Sequence, residues 1–311
     1  MGIRLSVLDT SPIVQGSTPR EALHNTADLA ELAEELGFHR YWVPEHHGMR
    51  GVASSAPAVL VGHLATLTSR LRIGSGGVLL PNHPPLVVAE QFGTLAALHP
   101  DRIDLGVGRA PGGTPGVVSS LRRTSAPYRT QLEELQALLD PADTVAVPVK
   151  GGNVPELWLL GSSPSTAELA ASLGMPFAFA RHLSPDQTCK ADLVSVSVIA
   201  ADSDERAEWL AGPIRTKVRS RAEGNRILLP SPEDAAAHPN PDDGRVLVGG
   251  PAAITRRLQA VLDETGTEEL MITTPIYHHA DRRRSYEVVA AIAADLRPAG
   301  PAGTAARLPS S

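Results

Sequence analysis

Short apolar runs alternate along this chain with longer stretches in which apolar residues recur every three or four positions. Residues 3–8 alternate and then stop at Asp9, Thr10, Ser11 and Pro12, which predicts a first strand. Over 20–36, Leu23, Ala27, Ala30, Ala33 and Leu36 share one helical face, and Gly37 closes the helix. Tyr41, Trp42 and Val43 read as a buried strand that Pro44 ends, because proline has no N–H to give to a sheet ladder. The alternation continues with a helix over 56–68 and an apolar, glycine-bearing run over 71–80. A helix over 85–98, with proline in its first turn, and a strand over 102–107 follow.

The middle is less regular. A helix is predicted over 125–139, a loop or small hairpin over 141–155, a strand over 157–160, a helix over 164–173, and sixth and seventh strands over 177–180 and 193–200. About a dozen residues, Pro185 among them, separate those two strands, and a crossover helix needs that many by itself. The helix between strands six and seven is therefore expected to be shortened or missing. A short helix over 203–211, capped by Ser203, leads into a Pro- and Asp-rich stretch over 212–250 without periodicity, read as an irregular excursion. A helix over 251–265, an eighth strand over 269–274 and a helix over 282–296 complete the pattern. The low-complexity tail, 298–311, is expected to be disordered. Eight strand–helix units within 1–297 predict one α/β domain, a (β/α)8 TIM barrel.

Composition narrows the partners. A net charge of -6 argues against nucleic acid or an anionic membrane. Cys189 is the single cysteine, so neither an intrachain disulfide nor a thiolate metal cluster is available. No apolar run reaches membrane-spanning length, and the N-terminus lacks a basic region followed by an apolar core. The expected location is the cytoplasm.

In such a barrel the C-terminal ends of all strands open on one face, so reactive residues should converge there. Glu45, His46 and His47 follow strand two; they read either as acid–base groups or as a helix-capping carboxylate with two exposed histidines. Gly76 and Gly77 lie inside strand three, where glycine calls for a close approach to the backbone, by a flat cofactor ring or at a bulge. Arg109 follows strand four and suits either a phosphate clamp or a surface salt bridge. Ser162, Ser163 and Thr166 follow strand five, offering hydroxyls and free N–H groups at a helix start, which suits an anion or an ordinary cap. His278 and His279 follow strand eight. Gly106-Val107-Gly108 fails as a dinucleotide fingerprint, because Pro111 stands where a third glycine belongs. No His, Asp or Glu spacing matches a metal site.

Together these motifs resemble the bacterial luciferase-like, flavin-dependent monooxygenases, over residues 1 to about 297. Leu36-Gly37-Phe38 leading into Trp42-Val43-Pro44-Glu45-His46-His47 resembles that family's second strand. Arg72-Ile73-Gly74 with Pro81, His83 and Pro84 resembles the third, and Asp101-Arg102-Ile103-Asp104 through Arg109 the fourth. Gly161-Ser162-Ser163 with Leu173-Gly174-Met175-Pro176 matches the fifth, and Glu268-Glu269-Leu270-Met271 with Ser285-Tyr286-Glu287 the C-terminal end. The chain is most similar to the single-chain enzymes of bacterial secondary-metabolite clusters.

The resemblance implies a luciferase-like barrel that carries FMN as FMNH2 and inserts one oxygen atom of O2 into a small organic substrate, aromatic or polyketide, through a flavin C4a-peroxide. Ser162, Ser163, Thr166 and Arg109 would hold the phosphate, with Leu160 beside the cofactor. Gly76–Gly77 would be a non-prolyl cis peptide beneath the ring. His46 would be the catalytic histidine, with Glu45 and His47 in the same constellation. The 212–250 excursion would be the lid. A separate NAD(P)H:flavin reductase is implied, since no nicotinamide motif is present, and a homodimer is expected. Two other functions fit the same fold: hydride transfer with the deazaflavin F420, and flavin binding without catalysis.

Overall fold

Eight parallel strands close a ring, and the order in which they do so decides which loops face one another. The structure, a computed structural model, describes residues 2–237, 240–242 and 244–299; the tail from 300 onward lies outside them. The first half alternates as expected: β1 (Arg4–Leu8), α1 (Pro19–Glu35), β2 (Arg40–Val43), α2 (Pro57–Leu67), β3 (Arg72–Leu79), α3 (Pro85–Leu98) and β4 (Ile103–Gly108). Thr18 and Glu21 form a reciprocal capping box at the start of α1, with Pro19 in its first turn. Then come α4 (Pro115–Ser120), α5 (Tyr128–Leu138), α6 (Val147–Lys150), β5 (Glu156–Gly161), α7 (Pro164–Ser172) and β6 (Phe177–Phe179). The last third holds β7 (Leu193–Ala200), α8 (Asp204–Ala222), α9 (Pro232–Ala236), β8 (Val246–Gly249), α10 (Pro251–Thr265), β9 (Glu269–Thr273) and α11 (His279–Ala291).

The ring runs β1 to β7 in order, then β9, which pairs back onto β1. No helix joins β6 to β7, as the short spacing predicts, yet the wall is continuous: Ala178 pairs with Leu193 and Phe179 with Val194. The connection is pinned instead by polar contacts. Phe177 N donates to Asp192 Oδ2 at 2.9 Å, and Arg181 pairs with Glu264 of α10 at 2.9 Å.

Two local expectations change and one is settled. The helix predicted to stop at residue 211 runs on through Pro213 to Ala222, because the apolar side of Ala207, Leu210, Ala211 and Pro213 is buried and tertiary packing overrides one missing N–H. The end of the 212–250 stretch is regular: β8 pairs with the C-terminal half of β7. Ser197 pairs with both Val246 of β8 and Thr273 of β9, so β8 lies on the β6 side of β7, outside the ring of eight. Finally, 141–155 is a loop, as one of the two readings has it, with the single turn α6 inside it.

The N-terminal end of the barrel is filled by charge. Arg40, 4% exposed, donates to Asp104 at 2.9 Å, to Glu269 at 3.0 Å and to Glu156 at 3.1 Å. Its guanidinium lies 4.8 Å from the ring of Trp158. Asp104 also accepts from Arg72 and from Trp42 Nε1, so its buried charge is fully engaged. Above this plug the interior is apolar, made by Leu8, Trp42, Trp158, Leu160, Ala178, Leu193 and Met271. Asp104 and Glu269, which stand in two of the family-like motifs, thus serve the fold.

Candidate active site

The loop after β2 sorts its three reactive residues by side. Glu45 and His47, two apart, face the same way, and His47 Nε2 lies 2.6 Å from Glu45 Oε1. His46, between them, takes no part in this contact. The Glu45 carboxylate, 2% exposed, also takes hydrogen bonds from Leu79 N at 2.9 Å, Asn82 Nδ2 at 3.0 Å and His83 Nε2 at 2.9 Å. Burial alone would raise its pKa, but the donors His83, Asn82, Leu79 N–H and His47 hold it down to about 2. Glu45 is therefore a fixed anion that braces the ends of β2 and β3. The helix-cap reading gives way to this.

The glycines of β3 and β4 make the same corner tight. The Gly76–Gly77 peptide is cis, and a bulge shifts the β3–β4 register between Gly76 and Val78. A Cβ on Gly77 would lie 2.6 Å from the Gly106 carbonyl oxygen, and one on Gly106 would lie 2.2 Å from that of Ser75. Close backbone approach across the bulge accounts for both glycines. Gly77 O accepts from Glu45 N at 3.2 Å, and Gly112 O from His47 N at 2.8 Å, so loops two, three and four interlock.

His46 is held by its backbone, N donating to Ser54 O at 3.0 Å, while its side-chain Nδ1 is buried without a hydrogen-bond partner. Desolvation, reinforced by His47, lowers its pKa against the opposing pull of Glu45. The result is a neutral imidazole with an unused ring nitrogen, the form that can accept or deliver a proton.

On the neighbouring side, β4 and β5 pair in parallel, so Arg109 after β4 and the start of α7 after β5 stand on adjacent loops. Arg109 is exposed and its side chain enters no salt bridge among the described residues, so the surface-pair reading fails. Ser163 stands at the N-cap of α7 but gives no cap hydrogen bond; its Oγ lies 2.9 Å from Ser165 Oγ and 3.1 Å from Thr166 Oγ1. Hydroxyls gathered at an uncapped helix start, on the loop next to the one that carries an exposed guanidinium, are groups that could hold an anion. Gly161 makes this possible, since a Cβ there would lie 2.4 Å from Thr166 Cγ2. Leu160 packs in the barrel interior, and a Cβ on Gly106 would lie 2.7 Å from its Cδ1.

Several residues at this rim gave no signal in the sequence. Tyr128, at the start of α5, has a buried Oη without a partner, near enough to Arg109 to feel its charge. Arg123 donates to the Arg109 carbonyl at 2.9 Å, and its Nε is also unpaired. Asn82 completes the Glu45 hub together with His83, a residue that the third-strand motif already contained. His182, in the β6–β7 connection, lies close enough to His46 for the charges to interact. Their signals are absent because each depends on partners far away in the chain. His279, by contrast, leaves the site: its Nε2 sits 2.6 Å from Asp28 of α1, which makes it a brace between α11 and α1.

The comparisons with known proteins agree over the full length of the chain. The family described as "Luciferase-like monooxygenase" matches residues 3–309. A luciferase-like monooxygenase of Escherichia coli K12 is 40% identical, over 94% of this chain and 98% of its own. The N-acetyl-S-alkylcysteine monooxygenase of Bacillus subtilis is 33% identical, over 92% and 97%. The crystal structure of apo-MsnO8 superposes with a TM-score of 0.87 at 38% identity, covering 95% of this chain and 99% of that one. Two more distant structures share the fold alone: the oxygenating constituent of 3,6-diketocamphane monooxygenase from Pseudomonas putida, solved with FMN (18% identity, TM-score 0.73, 96% of this chain and 99% of that one), and an F420-dependent tetrahydromethanopterin reductase from Methanopyrus kandleri (13%, 0.63, 93% and 97%). With a closed parallel barrel, and with these matches spanning nearly every residue, the chain belongs to the luciferase-like monooxygenase family.

Proposed function

We propose that this protein is a two-component, FMN-dependent monooxygenase, which receives FMNH2 from a separate NAD(P)H:flavin reductase and places one oxygen atom of O2 on a small organic substrate. The observation that carries this reading is the anion cradle: Arg109 without an ion pair, Tyr128 Oη buried without a partner, and the Ser163 and Thr166 hydroxyls not used in capping. An unpaired buried hydroxyl is costly, and a phosphate oxygen removes that cost. Arg109, Ser162, Ser163, Thr166 and Tyr128 would hold the phosphate, and the ring would lie toward Gly76, Gly77 and Leu160. Reduced flavin, when bound, supplies the electrons that activate O2.

His46 is the group that holds or moves a proton in this site, through Nδ1. Glu45 and His47 do not act on substrate; they fix the loop that aims His46. The apolar interior of Trp42, Trp158 and Leu160 excludes water from below. The 223–231 segment is the proposed cover: Leu229 bridges Val14 in the loop after β1, and its carbonyl accepts from Gln15 N at 2.9 Å.

A homodimer and a cytoplasmic location belong to the same reading. Val59 and Leu67 of α2 and Leu86, Val87 and Leu98 of α3 are exposed, and adjacent apolar helix faces of this kind suit a second copy. No described helix is long and apolar enough to cross a membrane. The test is to mix the protein and photoreduced FMN with oxygenated buffer and follow flavin reoxidation. A time course altered by the wild type, and less so by His46→Ala, supports the reading. A course identical to that of free flavin overturns it, and binding of F420 in its place would make hydride transfer the function.

A further inference from the structure

Closure of the barrel creates one relationship that no stretch of sequence displays. In a ring of eight, β2 and β6 stand four strands apart, on opposite walls. His46 lies three residues beyond the end of β2, and His182 three residues beyond the end of β6. The two imidazoles therefore project from facing loops at the same end of the barrel.

His182 is also built in. Its backbone N donates to Ser195 O at 3.0 Å, and its Nδ1 lies 2.7 Å from Ser195 Oγ. Ser195 Oγ in turn reaches the Phe179 carbonyl at 3.3 Å. A hydroxyl has one proton to give, so both contacts are hydrogen bonds only when Ser195 donates to Phe179 and accepts from His182 Nδ1–H. That tautomer leaves Nε2 as a bare lone pair, which has no partner among the described residues. Desolvation, with His46 nearby, lowers the pKa of His182 to about 4, so the ring stays neutral at neutral pH. Two anchors on β7 aim a side chain carried by a connection that lacks its helix.

We propose that His182 is a substrate-binding residue, whose Nε2 accepts a hydrogen bond from an O–H or N–H of the substrate held between it and His46. This rests on the reading of the barrel mouth as the reaction chamber and adds a substrate class: compounds bearing a hydrogen-bond donor, such as phenols, over an apolar floor of Trp158 and Leu160. A site built around an acceptor discriminates against analogues that lack the donor, because the acceptor is then buried unpaired.

The test uses phenol and anisole, which differ in the hydroxyl proton, with the full chain and without flavin or oxygen. Calorimetry should show phenol binding about tenfold tighter than anisole, the effect of one hydrogen bond to an unpaired acceptor. The preference should vanish in His182→Phe and shrink in Ser195→Ala, which frees the ring from its fixed tautomer. Imidazole 15N shifts of the wild type should show Nδ1 protonated and Nε2 bare. Absence of phenol binding, equal affinities, a preference that survives both substitutions, or an Nε2-protonated ring each overturns the assignment. If flavin has no effect in the reoxidation experiment while the phenol preference holds, the flavin reading falls and His182 keeps its role.

Discussion

Arg282 of α11 donates to Asp9 Oδ1 at 2.6 Å, joining the last helix of the barrel to the residue just beyond its first strand. Asp9 is wholly buried and also accepts from Thr26 Oγ1 at 2.8 Å and Tyr41 Oη at 2.5 Å. Burial would raise its pKa, but Arg282 and the hydroxyls hold it below the ordinary carboxylate value. Removing one member of such a pair strands the other. Arg282→Met should cost about 3–5 kcal/mol, and Asp9→Leu with Arg282→Met less than the sum of the single changes, by urea denaturation.

Acid should unfold the protein in two windows. Glu45 is held at about 2 against 4.5 when free, so its contribution is complete above pH 4.5 and is lost as pH falls toward 2. The full effect is on the order of 3 kcal/mol. His182 is lowered from 6.5 to about 4, so the fold disfavours its protonation and stability drops between those two values. Denaturation midpoints measured from pH 7 to 3 should show both slopes. Glu45→Gln should remove the lower one, and His182→Phe the upper.

Space around the glycine pair sets a third expectation. Gly77→Ala and Gly106→Ala press a methyl against backbone oxygens at 2.6 and 2.2 Å, which rigid strands cannot relieve. Each should cost about 1–3 kcal/mol or more. Gly116→Ala, with nothing within 4 Å, should leave the midpoint unchanged. A Gly106→Ala protein of wild-type stability would show that β3 and β4 are further apart than described.

Tyr128→Phe separates binding from stability. The Oη is buried without a partner, so its removal should leave the flavin-free protein as stable or about 1 kcal/mol more so. FMN affinity should fall about tenfold, and Arg109→Ala should reduce it further, since a charged hydrogen bond is the stronger one. Fluorescence quenching of FMN measures both. Unchanged affinity in Tyr128→Phe would remove that residue from the phosphate site.

Charge on the outer helices tests the dimer. Val59 is 75% exposed on α2 and Leu98 68% exposed on α3. Val59→Glu with Leu98→Glu should leave folding intact and convert a dimer to a monomer in sedimentation. A wild type that sediments as a monomer removes the dimer from the reading.

What could be read from the sequence was whatever depends on neighbours. Strand and helix periods, Pro44 as a stop, and the short spacing between β6 and β7 are local, and the barrel follows from them. The Glu45 hub was not legible, because Asn82 and His83 lie 37 and 38 residues away and the carboxylate looks reactive until they are in place. His182 sits in no motif; its position opposite His46 exists only once β9 has closed onto β1. Tyr128 looked like any residue at a helix start, and the extension of α8 beyond Pro213 was hidden by a residue that usually ends helices. The glycines of β3 showed that something comes close; for Gly77 the nearest neighbour is the β4 backbone, and for Gly76 it is the side chains of Leu8 and Trp42.

The charged plug around Arg40 has a consequence for traffic. With Asp104 and Glu269 fully buried and Arg40 nearly so, this end of the barrel is stoppered among the described residues, and an occupant of the interior has to enter from the opposite end. Whatever settles deepest must arrive first and leave last. An occupant resting on the glycine corner would be sealed in by a later arrival bridging His46 and His182, and release would run in the reverse order. A barrel corked by ions is in this sense a queue, in which the proposed guests would pass one another only at the open end.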